Sequence, residues 1–283
     1  MEILLDCVPC LLKQALLGAR LATNDIEIQE KIMNRSLEIL ADYKSYQSSP
    51  ELARAIHQVI KQETGNNDPY SKIKEKDLEA AKKAYLPVKE FLSDKEDKLY
   101  WALKIAATGN NIDAAIYENI DMVECLQVEM GKHFAINDVD IFREKLSTAK
   151  NILIIGDNTG ETIFDKILIE SIPNKEFNYA VRSEPIINDV TMKDAMLSGL
   201  EQVATVISTG CNAPGLILTE GSPEFLKLYH QADIIISKGQ GNFEALSEQK
   251  NIFFLLKAKC PMIAGRLNVK LNDYILKYSG GGE

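Results

Sequence analysis

The stretch Asn151-Ile152-Leu153-Ile154-Ile155-Gly156-Asp157-Asn158-Thr159-Gly160-Glu161 decides how the chain is read. An apolar run stops abruptly at Gly-Asp-Asn, and a helical pattern follows over 161–171. A buried strand of a parallel sheet has this form, with a crossover helix behind it. Loops at the carboxyl ends of such strands are where open α/β sheets bind ligands. Asp157 and Asn158 therefore put a carboxylate and an amide oxygen at the favoured ligand position. A plain turn with a helix N-cap uses the same residue types, and this loop taken alone favours that reading.

Three further strand ends change the balance. The expected strand 177–181 runs into Arg182-Ser183-Glu184-Pro185 and on to Asn188-Asp189-Val190-Thr191. The expected strand 203–208 runs into Thr209-Gly210-Cys211-Asn212, and 234–236 into Ser237-Lys238-Gly239-Gln240-Gly241-Asn242. A closing strand is expected over 252–256, with helical patterns at 191–197, 223–230 and 242–248. This alternation predicts a parallel sheet with right-handed crossovers. Four polar loops aimed at one edge predict an active site.

The first half reads differently. Leu11, Leu12, Ala15, Leu16, Ala19 and Ala22 form one apolar set. Ile32, Met33, Leu37 and Leu40 form a second, and Leu52, Ala55, Ile56, Val59 and Ile60 a third. Spacings of three and four place each set on one helix face. Asn66-Asn67-Asp68-Pro69 and Gly109-Asn110-Asn111 break the pattern. The division predicted is a helical domain over 1–148 and an α/β metal- and phosphate-binding domain over 149–283. Asn110 and Asn111 are the cap residues best placed to face the cleft, with a solvent-facing turn as the alternative. The tail 279–283 is expected to be flexible.

Bulk properties exclude several classes. Among 283 residues, 46% are hydrophobic and 26% charged, which suits a soluble protein with a sizeable core. The net charge of −9 disfavours a broad nucleic-acid footprint, which needs clustered positive charge. No apolar run of about 18 residues is present to span a membrane. Lys13 and Arg20 interrupt the first apolar segment, unlike a signal peptide. Five cysteines, an odd and sparse number, make no disulfide framework. A reduced, cytoplasmic enzyme is expected, and its oligomeric state is not readable.

Asp157, Asn158 and Asp189 offer two carboxylates and an amide oxygen, hard ligands suited to Mg²⁺ or Mn²⁺. The three histidines, His57, His133 and His230, lie far from these loops in sequence, which disfavours a zinc site. Asp189 could equally cap the helix starting near Thr191. Lys238-Gly239-Gln240-Gly241-Asn242 follows a strand and opens a helix, where free N–H groups and glycines admit an anion. Alone, such a segment is more often a tight turn. Arg182 is a second candidate anion contact, or else one half of a surface salt bridge.

These motifs together resemble the DUF89 (damage-control phosphatase) family. Asp157-Asn158-x-Gly160-Glu161, Asn188-Asp189-x-Thr191 and Lys238-Gly239-Gln240-Gly241-Asn242 carry the likeness. Cys7-Val8-Pro9-Cys10, Asn67-Asp68-Pro69-Tyr70 and Gly109-Asn110-Asn111-Ile112-Asp113 fit its small subfamily with an N-terminal CxxC. The resemblance implies a helical domain packed on a three-layer α/β/α domain with a mainly parallel sheet. It also implies a metal-dependent phosphomonoester hydrolase acting on a small phosphorylated metabolite, in metabolite repair. It carries metal binding onto Asp157, Asn158 and Asp189, with Mg²⁺ or Mn²⁺ first and Co²⁺ or Ni²⁺ also admitted. Phosphate contacts fall on Lys238, Gly239, Gly241 and Asn242, with Asp157, Glu161 and Lys238 as catalytic candidates. Whether water or a carboxylate attacks stays open, as does the substrate. The alternatives are a nucleotide-binding or methyltransferase-like α/β enzyme, and a non-catalytic sensor of a phosphorylated ligand. Cys7 and Cys10 have no sequence-adjacent base or metal partner and are expected to pack as helix-start thiols, with redox sensitivity second.

Overall fold

The computed structural model describes residues 1–109 and 128–280. Asn110 and Asn111 lie outside the described residues. Among these residues the sheet has seven strands: β1 (Phe134–Asn137), β2 (Asn151–Ile155), β3 (Glu176–Val181), β4 (Thr205–Ser208), β5 (Ile234–Lys238), β6 (Ile252–Lys257) and β7 (Tyr274–Tyr278). Their spatial order is β1-β7-β6-β5-β2-β3-β4. The five central and trailing strands, β6 through β4 in that order, are mutually parallel. β7 runs antiparallel to β6, and β1 pairs parallel with β7. Every residue of β5 and β6 is buried, which suits their apolar runs 234–236 and 252–256.

Both faces of the sheet are covered. On one face Ile152, Ile154, Phe253 and Leu255 pack with the helices α4 (Ser71–Ser93), α5 (Lys98–Thr108), α6 (Val139–Thr148) and α7 (Thr162–Glu170). On the other, Leu153, Ile155, Phe254 and Leu256 meet α9 (Pro223–Gln231), α10 (Gly239–Leu246) and α11 (Pro261–Leu267). The short α8 (Met192–Ser198) follows the loop after β3. The architecture is thus a three-layer α/β/α sandwich. The apolar sets of the first half form α1 (Cys7–Ala22), α2 (Ile26–Ala41) and α3 (Ser49–Thr64), joined through Leu11, Ala15, Leu40, Leu52 and Ile56. Leu37 departs from its expected place and is 49% exposed.

Two segments expected elsewhere join the sandwich. α4 and α5 belong to its helical layer, and β1 with α6 adds an edge strand and a covering helix before residue 149. β7 extends the sheet beyond the strand expected to close it. Ser279 is tied back by its N–H to the Ile252 carbonyl, while its hydroxyl accepts from the Ile252 N–H. No helix of the described residues is long and apolar enough to cross a membrane.

From β2 the chain moves outward to β3 and β4, then returns to place β5 on the other side of β2. The carboxyl ends of β2 and β5 therefore flank the switch point, where such sheets open a crevice.

Phe142 of α6 is fully buried and stands edge-on to Phe253, with ring centroids 5.0 Å apart. Phe142→Ala is expected to lower unfolding free energy by about 3–5 kcal/mol in urea titrations. The neighbouring Ile141→Ala, at a 39% exposed position, should change it by less than about 0.5 kcal/mol.

Candidate functional site

Backbone pairing brings the two acidic loops together. The Val190 N–H donates to the Asp157 carbonyl (2.8 Å), and the Thr159 N–H to the Asn188 carbonyl (2.9 Å). Asn158 and Asp189 thereby form an antiparallel bridge across the carboxyl end of β2. Ile187, in the turn before Asp189, has φ +46°, a rare left-handed conformation for a β-branched residue. Strain of this kind costs on the order of 1–3 kcal/mol and gathers at functional sites. Asp157, Asn158, Ile187, Asn188 and Asp189 line one cleft of about 380 Å³.

The capping alternatives do not hold. Thr191 is the N-cap of α8, with its partner Asp194 completing a capping box, and the Asp189 carboxylate turns away to Arg182. Asn158 precedes a short 3-10 turn but makes no side-chain cap bond. Asp194 also accepts from Lys74 (3.0 Å), which pairs with Asp68 of the Asn67-Asp68-Pro69-Tyr70 motif (2.8 Å). The helical half thus braces the Asp189 loop.

Behind the cleft lies a buried polar layer. Lys238 Nζ donates to Glu161 Oε2 (2.8 Å) and Asp165 Oδ1 (2.6 Å). Tyr179 donates its hydroxyl to the other Asp165 oxygen (2.7 Å). Arg182 Nε donates to Asp189 Oδ2 (2.8 Å), and Nη2 to Asn242 Oδ1 (2.9 Å). Asn242 is a hub: its Oδ1 also accepts from the Leu216 N–H, and its Nδ2 donates to the Gly156 and Lys238 carbonyls. Glycine is obligatory at 239, where φ is +77° and a Cβ would sit 1.8 Å from Asp157 Oδ2. At 241 a Cβ would sit 2.0 Å from the Pro214 carbonyl oxygen.

This layer changes several expected roles. Lys238 is 1% exposed and its ammonium is engaged by two carboxylates, so it stands behind the cleft rather than in it. Glu161 is likewise buried, with Oε1 accepting from Asn158 Nδ2 (2.7 Å), a place that orients Asn158. Arg182 is a buried partner of Asp189 rather than one half of a surface salt bridge. Gly239 and Asn242 shape the layer, whereas Gly241 does line the cleft. Sequence reasoning missed Asp165, although its spacing of four from Glu161 puts both carboxylates on one helix face. It also missed Gln14 of α1, Gln240 and Glu244 of α10, and Lys259 of the loop after β6, all of which line the cleft.

The electrostatics favour a cation. Burial raises the Asp157 carboxyl well above its usual range, and the charges of Glu161 and Asp189 raise it further. Burial also raises Asp189, to about 6, against the opposing pull of Arg182. For Lys238 burial acts downward, but Asp165 and Glu161 outweigh it and raise the group overall. Four buried carboxylates, Asp157, Glu161, Asp165 and Asp189, thus share the buried cations Lys238 and Arg182. A divalent ion would balance that excess. Among the described residues, no three His, Cys, Asp or Glu side chains stand together as a ready metal cluster. The candidate set is instead two carboxylates and an amide. Asn158 donates from Nδ2 to Glu161 (2.7 Å) and Asp157 (3.3 Å), so its amide oxygen is the atom an ion would take. Arg182 Nη1 is buried with no hydrogen-bond partner among the described residues, a donor that an oxygen-rich ligand would satisfy.

Lys238→Ala leaves Glu161 and Asp165 buried without their cation. It is expected to destabilise the fold by about 3–5 kcal/mol in chemical denaturation. Normal stability with lost activity would return Lys238 to direct contact with substrate.

Comparison with known proteins shows the family of the chain. Residues 3–275 match the damage-control phosphatase ARMT1-like domain. A damage-control phosphatase of Pyrococcus horikoshii is 38% identical over 278 residues, covering 95% of each chain. One from Archaeoglobus fulgidus is 32% identical over 281 residues, covering 96% of this chain and 97% of its own. The crystal structure of a DUF89 family protein from Pyrococcus horikoshii superposes with a TM-score of 0.92 at 35% identity, covering 99% of both chains. The chain belongs to the damage-control phosphatase ARMT1-like (DUF89) family.

Proposed function

We propose that the protein is a metal-dependent phosphatase that hydrolyses phosphate esters of small metabolites. The observation that carries this reading is the excess of buried carboxylate at the switch-point cleft, faced by donors suited to phosphate. Relatives named damage-control phosphatases support the reaction class. Asp157, Asn158 and Asp189 would hold the ion, Mg²⁺ or Mn²⁺ by the hardness of their oxygens. Such an ion, when bound, neutralises a phosphoryl group and stabilises charge developing in the transition state.

The remaining work falls to the chain's own residues. Arg182 holds the Asp189 carboxylate in one orientation, and Glu161 orients the Asn158 amide. Lys238 holds the Glu161 carboxylate in place. Lys259 stands at the cleft, where its charge acts on Asp157. In this reading it takes the role of attracting the anionic substrate. Gly241 and the first turn of α10 bring backbone N–H groups to the same wall. The metabolite's leaving group would occupy the outer cleft between α1, α3 and α10.

Phosphate release from a panel of phosphate esters is expected with Mn²⁺ or Mg²⁺ and not with EDTA. Asp157→Asn and Asp189→Asn should each reduce it at least about 10²-fold, judging from losses on removing one charge-stabilising group. Full turnover by the metal-stripped protein would refute the reading. Because Asp189 is held near 6 by burial, its ionised form costs the metal-free fold stability as pH rises through that value. Metal requires the ionised form. The rise in Tm on adding Mn²⁺ should therefore be larger at about pH 8 than at about pH 5.

A further inference from the structure

Cys7 and Cys10 are separated from the acidic loops by about half the chain, yet both line the cleft that Asp157, Asn158 and Asp189 line. They occupy the first and fourth positions of α1, with Pro9 between them. Cys10 is exposed and Cys7 half-buried, its Sγ 3.9 Å from Met262 Sδ. Cys260 lines the same wall. Helix neighbours three apart have Cβ atoms about 5–6 Å from each other. A disulfide needs about 3.5–4.5 Å. The first turn must therefore tighten by an ångström or two. It is free to do so: Asp6 makes no capping bond, and Pro9 has no N–H to lose.

We propose that Cys7 and Cys10 form a reversible disulfide in the wall of the cleft, by exchange with a small-molecule disulfide, and that closing it slows turnover. The Cys10 sulfur, the exposed one, attacks one sulfur of the small disulfide and expels one thiol. The Cys7 sulfur then attacks Cys10 Sγ and expels the second. Two protein S–H bonds become one S–S bond, the small disulfide is reduced to two thiols, and those thiols carry the two protons. Leu11 and Gln14, on the same helix and the same wall, move with the tightened turn. Gln14 Oε1 is buried there with no hydrogen-bond partner among the described residues, so this wall is poised to contact a polar ligand.

The surroundings set the character of the bond. Burial raises both thiols, and the charges of Glu244 and Cys260 raise them further. Thiolate is scarce, so attack is slow. The reduced state gains no thiolate stabilisation, so the disulfide, once made, resists reduction.

The effect on turnover rests on the phosphatase reading; formation of the bond does not. Reduced, metal-loaded protein is incubated with oxidised glutathione, digested without reduction, and analysed by mass spectrometry, with phosphate release measured in parallel. The expected result is a Cys7–Cys10 linked peptide and at least a tenfold fall in turnover, reversed by dithiothreitol. The Cys10→Ser protein should show the same turnover before and after oxidant, and Cys260→Ser should behave like the wild type. No Cys7–Cys10 peptide, a bond to Cys260 instead, or a linked peptide without a change in turnover would each overturn the proposal. A linked peptide in a protein that releases no phosphate even when reduced would overturn the phosphatase reading and leave the thiol site standing.

Discussion

Asp157, Glu161, Asp165 and Asp189 bring four carboxylates into the protein interior at the carboxyl edge of the sheet, where Lys238 and Arg182 are the buried cations that meet them. Removing charges from water is costly, and pairing offsets it only with good geometry and further hydrogen bonds. Lys238 has both, through Glu161 and Asp165, and Tyr179 adds a bond to the latter. Burial raises the Asp157 and Asp189 carboxyls against the opposing pull of Arg182. The scaffold spends its stability on a place where a divalent ion would be welcome.

The surrounding structure holds that place still. β2 and β5 deliver Asp157 and Lys238 side by side because the sheet reverses direction of growth between them. Asn242 ties the ends of β2 and β5 to each other and to Arg182, using both ends of its amide. Arg182 fixes Asp189, and the Lys74–Asp194 pair fixes the helix that follows it. Packing of Gly239 against Asp157 leaves no room for a side chain. Each of these contacts is buried, so none is easily traded for water.

Much of this was legible in the chain. Central parallel strands are apolar on both faces and stop at polar loops, so β2, β3, β5 and β6 announced themselves, as did Asp157, Asn158 and Asp189 at or beyond their ends. β1 is a short edge strand with alternating burial, and β7 is antiparallel, so neither carries that signature. The helical pattern read over the first half carried no sign that α4 and α5 cover one face of the sheet. Lys238 misled because a cation at a strand end looks the same whether phosphate or carboxylate meets it. The Cys7 contact with Met262 spans 255 residues of chain, a proximity that no local pattern encodes.

The most direct test of the metal account is a titration of metal-free protein with Mn²⁺, following free ion by electron paramagnetic resonance. The account predicts a saturable site that holds one ion per chain. It also predicts that Asp157→Asn and Asp189→Asn, though folded, each weaken that site by at least about tenfold, the lower range for loss of a group that supports a metal. Mn²⁺ binding that is absent in the wild type, or unchanged in both variants, would contradict it.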